Sequence, residues 1–168
     1  AGGGQEASGI SSRDTLVIAN TSGEPGNLHP YNQVSVGAVM AQRMIFDSLV
    51  SIDDEGTVQP ELAESWEVTE DAITFHLRQG VKFHNGDAMT AEDVKFSFDE
   101  LVLNSTGGRA PNFSACDMEN VTTPDDYTMV VPLKEDNAGQ LSYFNDLLVV
   151  NKTAYEEMGD KCQYEPVG

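Results

Sequence analysis

The feature that most limits how this chain can fold is a run of alternation. Trp66 and Val68, then Ile73, Phe75 and Leu77, fall at every second position with polar residues between them, and Thr69-Glu70-Asp71 interrupts the pattern with turn chemistry. A period of two puts these apolar side chains on one face of a pleated ribbon, so the stretch predicts a β-hairpin with one face buried and one wet. A second hairpin is expected from about 119–122 and 127–133, turned by Thr123-Pro124-Asp125-Asp126, with Tyr127, Met129, Val131 and Leu133 on its inner face.

Helical signals stand between and around these ribbons. Thr90-Ala91-Glu92-Asp93 places an N-cap and an acid at the third helical position ahead of Val94, Phe98, Leu101 and Val102, which predicts an amphipathic helix. From Val36 to about Ile52 the apolar residues Val36, Val39, Met40, Met44, Ile45, Phe46, Leu49 and Val50 leave a narrow polar stripe. That predicts one long helix covered on more than one side, with Arg43 and Asp47 paired at i, i+4. A short helix is expected over 153–158. Near the start, Thr15-Leu16-Val17-Ile18-Ala19 ahead of turn-rich residues 20–26 reads as a buried strand. Two hairpins with two to three helices indicate an α+β domain rather than a doubly wound sheet. Trp66, Phe75, Phe83, Phe96 and Phe98 read as its core.

Charge excludes whole classes of partner. Against 9 Lys and Arg the chain carries 28 Asp and Glu, a formal net charge of −19, so it lacks the clustered cations that neutralise a nucleic-acid backbone. An anionic membrane surface would repel it. Disorder is the other common reason for such acidity, but 7 Phe, 5 Tyr and 1 Trp in patterned runs argue for a folded unit. No apolar run approaches the roughly 18 residues that span a bilayer. Residues 1–13, rich in Gly, Ala and Ser, read as a flexible tether of the kind a lipid-anchored exported protein carries.

Reactive residues are sparse. Cys116 and Cys162 allow either one disulfide, which would stabilise by about 3 to 4 kcal/mol in an oxidising compartment, or two buried thiols. Neither belongs to a C-x-x-C motif. The nucleophile elbow, zincin, P-loop and dinucleotide fingerprints are all missing from the sequence. His29 precedes Pro30 in a loop where a cleft role is open; His76 alternates with Phe75 and Leu77 and so faces solvent or a polar lining; His84 fits either a turn or a metal or base role. Asp53-Asp54-Glu55-Gly56 departs from calcium-loop spacing. The five N-x-[ST] sequons, at Asn20, Asn104, Asn112, Asn120 and Asn151, read as chance occurrences.

The order of motifs resembles a known family. Leu62-Ala63-Glu64-Ser65-Trp66-Glu67-Val68 is followed by Ile73-Thr74-Phe75-His76-Leu77-Arg78-Gln79-Gly80-Val81-Lys82-Phe83-His84-Asn85-Gly86 and then by Met89-Thr90-Ala91-Glu92-Asp93-Val94-Lys95-Phe96-Ser97-Phe98. This block is similar to the extracellular solute-binding proteins of family 5, the peptide and nickel receptors of bacterial ABC importers, from about Thr15 to Leu103 and more weakly onward. The resemblance implies the N-terminal part of a periplasmic-binding-protein-like fold of type II, cluster C, mainly its accessory subdomain. Residues 14–50 would supply the first strand, loop and helix of lobe I, and 51–168 the accessory subdomain, with the chain ending before the second lobe. The implied function is capture of di- or oligopeptides for import, with an ABC permease as partner, no catalysis, no cofactor and no metal. Nickel, haem or sugar capture is the alternative within the family. A free-standing interaction or sensor module is the rival from another class.

Carried over by position, the stretch after His29-Pro30 resembles the one lining the ligand cleft, which points to Gln33, Val34, Ser35 and Val36. Free N–H groups at a helix entry would suit a peptide carbonyl or carboxylate, while plain helix capping by Ser35 is the other reading. Phe113 resembles the place where family members set an aromatic against the ligand, and it also fits a surface position. The implied location is extracellular or periplasmic, with a lipid anchor on the outer face of the cell membrane. A partial receptor of this kind would bind ligand weakly alone and self-associate through apolar surface, Leu16 to Ile18 and the helix from Val36, that lobe I would cover.

Overall fold

The structure is a computed structural model that describes residues 27–32, 35–105, 108–135, 137 and 139–168. The expected tether and first strand, and Gln33 and Val34, lie outside the described residues. Both hairpins are present. In the first, β3 (Ala63–Val68) and β4 (Ala72–Leu77) set Trp66 opposite Phe75 and Val68 opposite Ile73. The second joins β5 (Thr122–Asp125) to β6 (Thr128–Pro132).

Its turn departs from expectation. Strand β5 runs through Thr123-Pro124-Asp125, and the reversal falls at Asp126-Tyr127, where the Tyr127 amide donates to Asp125 Oδ1 at 2.9 Å. An aspartate closing its own turn two residues on makes a tighter reversal than the four-residue alternative. Pro124 is tolerated because β5 is an edge strand, where a missing N–H removes no essential ladder bond.

The two hairpins join into one sheet of order β3-β4-β6-β5, with Ile73 opposite Val131 and Phe75 opposite Met129. On the inner face Ile73, Phe75, Leu77, Met129 and Val131 are buried, while Thr74, His76, Thr128 and Val130 alternate with them. Helix α2 (Ala91–Asp99), continued by a wider turn over Glu100–Asn104, lays Val94, Phe98 and Leu101 into the same core. Four phenylalanines from separate elements meet there. The Phe144 ring lies 4.7 Å from Phe75, 5.2 Å from Phe98 and 5.3 Å from Phe113, centroid to centroid, within the range where tilted and edge-on aromatic pairs attract.

Polar groups fix the helices against one another. Asp93 Oδ2 accepts from the Thr90 amide at 3.0 Å and from its hydroxyl at 2.9 Å, closing the expected capping box, while Oδ1 accepts from the Lys152 amide at 3.0 Å. Lys152 begins α4 (Lys152–Met158), which follows the single-turn helix α3 (Gln140–Tyr143), so one carboxylate serves the positive ends of two helices. The buried Ser97 hydroxyl donates to the Asp93 carbonyl and accepts from the Val150 amide, at 2.7 and 3.0 Å.

The long helix expected over 36–52 is instead three things. Helix α1 (Val36–Gln42) stops at Arg43, a turn carries Phe46 into the core, and Val50–Ile52 forms β1, paired with β2 (Val58–Pro60). The cause is competition from long-range backbone bonding: Leu49 donates to the Leu147 carbonyl, Val149 to that of Asp47, and β-branched Val50 and Ile52 fit a ladder better than a helix. Because the helix ends early, Arg43 does not meet Asp47. It reaches Asp146 at 3.5 Å and the Asn145 carbonyl at 3.2 Å. The connecting turn is built on Asp53, whose carboxylate accepts the Thr57 and Glu55 amides. These bonds, that from Thr57 first, hold its carboxyl below the ordinary value.

The possible disulfide is not formed. Cys116 is buried where its backbone bridges Leu133 beside the sheet, whereas Cys162 lines an apolar recess with Pro30, Phe46 and Tyr155. Burial pushes the Cys116 thiol up to about 12, so it stays protonated and inert. No described helix is long and apolar enough to cross a membrane.

Two outcomes follow from this packing. Phe144→Ala leaves three rings without their common neighbour and should cost about 3 to 5 kcal/mol in a denaturant melt, against about 1 kcal/mol or less for half-exposed Tyr143→Ala. The described residues contain three ion pairs, far fewer than the excess of carboxylates. Raising salt from about 0.1 M to about 2 M should therefore raise the melting temperature by screening self-repulsion; a melting temperature that falls would contradict it.

Candidate ligand-binding site

The loop that enters α1 is held from four sides. His29 and Tyr31 are 6% and 1% exposed, unusual for a loop. Tyr31 donates its hydroxyl to the Leu148 carbonyl. Gln42, the one long polar side chain facing inward from α1, donates Nε2 to the His29 carbonyl at 2.6 Å, and Arg109 Nη1 reaches the Pro30 carbonyl at 3.4 Å. The His29 ring spans two partners: Nδ1 accepts from the Tyr31 amide at 3.2 Å and Nε2 lies 2.6 Å from the Tyr155 hydroxyl. An Nδ1 that accepts must be unprotonated, which places the ring hydrogen on Nε2 as the donor to Tyr155.

Burial dominates the electrostatics. Desolvation holds the His29 pKa below its ordinary value and raises those of Tyr31 and Tyr155, with Cys162 and Glu100 adding to the effect on Tyr155. All three rings are therefore neutral near pH 7. Tyr155 also makes edge-on contact with His29 and with Phe96.

Helix α1 is two-faced. Gly37, Ala38 and Gln42 turn inward, while Val36 and Met40 on the other side, and Met44 in the turn that follows, stand 66%, 44% and 57% exposed. Ser35 Oγ accepts the Ala38 amide at 3.3 Å, so this hydroxyl is the N-cap, and the Val36 and Gly37 amides lie outside the helical ladder. Next to Met44 opens a cleft of about 180 Å³, lined also by Asp47, Leu62, Lys82, Phe83 and His84. Met44 belongs to both the apolar stripe and the cleft, whose lining also carries the charged Asp47 and Lys82.

Of the residues expected at a ligand, Ser35 and Val36 are exposed at the head of α1, and Gln33 and Val34 lie outside the described residues. Phe113 is 1% exposed inside the aromatic cluster, against Phe98, Tyr143 and Phe144, with no ring face open to the surface. The buried supports Gln42, Tyr155 and Arg109 were not foreseen. A lone Gln on the small-residue side of α1 was the one available signal for them. His84 is an exposed turn residue whose Nδ1 accepts from the Gly168 amide at 3.4 Å. Among the described residues no group of three or more His, Cys, Asp or Glu converges as a metal site would require.

Comparison with known proteins places the chain in a family. The sequence profile described as bacterial extracellular solute-binding proteins, family 5, middle, matches residues 57–167. The periplasmic oligopeptide-binding protein OppA of Haemophilus influenzae is 34% identical over 133 residues, which is 68% of this chain and 25% of that protein. OppA of Salmonella typhimurium is 32% identical, over 90% of this chain and 31% of its own length. Among solved structures, Haemophilus influenzae OppA in complex with RPPGFSPFR superposes with a TM-score of 0.79 at 30% identity, covering 89% of this chain and 33% of that one. The protein AgaA of A. tumefaciens R10, in complex with agropinic acid, gives the same TM-score and identity over 88% and 30%. The chain thus spans between a quarter and a third of the length of each of these relatives. Its α+β architecture is a portion of the periplasmic binding-protein fold of type II. With its profile match over most of the chain, this protein belongs to the bacterial extracellular solute-binding proteins of family 5.

Proposed function

We propose that this chain is part of a receptor that captures di- or oligopeptides outside the cell and delivers them to an ABC permease, without catalysis. The observation that carries the reading is the likeness to an OppA whose crystal structure holds a nine-residue peptide, over 89% of this chain. Residues 14–50 would belong to lobe I and 51–168 to the accessory subdomain, with a lipid anchor holding the tether at the outer face of the membrane. Ligand would meet the head of α1 at Ser35 and Val36, where exposed apolar surface and unladdered amides lie together. A second reading, capture of a small non-peptide solute, is favoured by the equal likeness to AgaA. Alone, the chain would bind weakly and associate through Val36, Met40 and Met44.

The experiment is calorimetric titration of the natural full-length gene product with a panel of two- to nine-residue peptides and with agropinic acid. Saturable heat with peptides is expected, and heat with agropinic acid alone would shift the assignment to the second reading. Val36→Asp should weaken peptide binding by about tenfold with the melting temperature unchanged, because Val36 is solvent-facing. Unaltered affinity would remove Val36 from the site.

A further inference from the structure

The His29 imidazole is a bracket whose two nitrogens face different elements. One side takes the backbone of its own loop, the other takes Tyr155 of α4, and the carbonyl of the same residue takes Gln42 of α1. We propose that neutral His29 is a positioning residue that fixes α1, and with it the exposed Ser35–Val36 head, against α4. Its bearing on ligand capture rests on the reading that this head meets ligand; the bracket itself does not.

The chain of contacts is continuous. Tyr155 is set on α4, whose first amides are held by Asn151 and Asp93, at 2.7 Å from Ala154 and 3.0 Å from Lys152. From α4 the Tyr155 oxygen meets Nε2, and from the backbone of His29 the bond to Gln42 crosses to a helix whose inward side chains are otherwise a glycine and an alanine. Small residues let α1 approach closely but give it little to grip, so the Gln42 bond carries its register.

Protonation would dismantle the bracket at one defined point. A charged imidazole bears hydrogen on both nitrogens, and Nδ1 would then oppose the Tyr31 N–H that it accepts from. The groups facing the ring or its partners are Tyr31 from its own loop, Tyr155 from α4, Cys162 beside Tyr155, Glu100 from the turn after α2, whose Oε2 lies 3.5 Å from the Tyr155 hydroxyl, and Arg109 at the Pro30 carbonyl. Burial of the ring disfavours its charged form. The folded-state value is depressed below 6.5. The stabilisation is therefore complete above the ordinary imidazole value and is lost as pH falls through it to the lower folded value.

The test is hydrogen exchange of the α1 amides in the natural full-length protein between about pH 8 and pH 5, corrected for intrinsic exchange rates. Protection of the Val39 and Arg43 amides, bonded to the Ser35 and Val39 carbonyls, should fall about tenfold or more as pH drops, with a midpoint matching the His29 titration followed by NMR. Tyr155→Phe keeps the ring packing and should lower protection at pH 8. His29→Asn keeps an acceptor for Tyr31 and cannot titrate, so it should abolish the pH dependence. If α1 protection is flat with pH in the wild type, or keeps its pH dependence in His29→Asn, the bracket is refuted. Trialanine titration in parallel separates the two claims. Exchange that responds while trialanine affinity holds constant would keep the bracket and discard Ser35–Val36 as the ligand contact.

Discussion

Everything in this fold is arranged around the meeting of four rings. Phe144 touches Phe75 of the central strand, Phe98 of the central helix and Phe113 of a loop, and none of these elements could bury its apolar side alone. A sheet with one wet face and a helix with one apolar stripe need a shared filling. The single-turn 3-10 helices Ala110–Phe113 and Phe144–Asp146 supply it, which is how such short segments come to hold rings as buried as those of the strands.

What was legible in the sequence depended on whether the signal was local. The hairpin of Trp66 to Leu77 and the capping box of Thr90 and Asp93 are written in neighbouring residues, so both could be read directly. The segment from Val36 to Ile52 could not, because its apolar residues are divided among a helix, a turn and a strand by partners roughly a hundred residues away, Leu147 and Val149. Phe113 was misplaced for the same reason: an aromatic in a loop looks available until the three rings that enclose it are brought together. For the proposed site, Ser35 and Val36 came from resemblance, whereas the support from Tyr155 to His29 is a pairing across 126 residues that no spacing rule reports.

Polar and apolar groups exchange their usual places around α1. Inside, Gln42, His29 and Tyr31 are buried yet bonded, which offsets much of the cost of taking such groups out of water, although Gln42 Oε1 has no hydrogen-bond partner among the described residues. Outside, Val36, Met40 and Met44 meet solvent on a protein whose surface is otherwise crowded with carboxylates. Acidic residues elsewhere discourage promiscuous contact, and this uncharged stripe is a surface where an apolar or neutral partner meets little resistance.

The pairing of β4 with β6 also orders events in time. Each hairpin is local and closes over a few residues, but Ile73 finds Val131 only after α2 and the Phe113 loop have been made and folded back. Closing so large a loop is the slow, entropically costly step. On the ribosome the first hairpin therefore emerges with β4 as an open edge, and it stays unpartnered on that side until residues beyond Pro132 have left the exit tunnel.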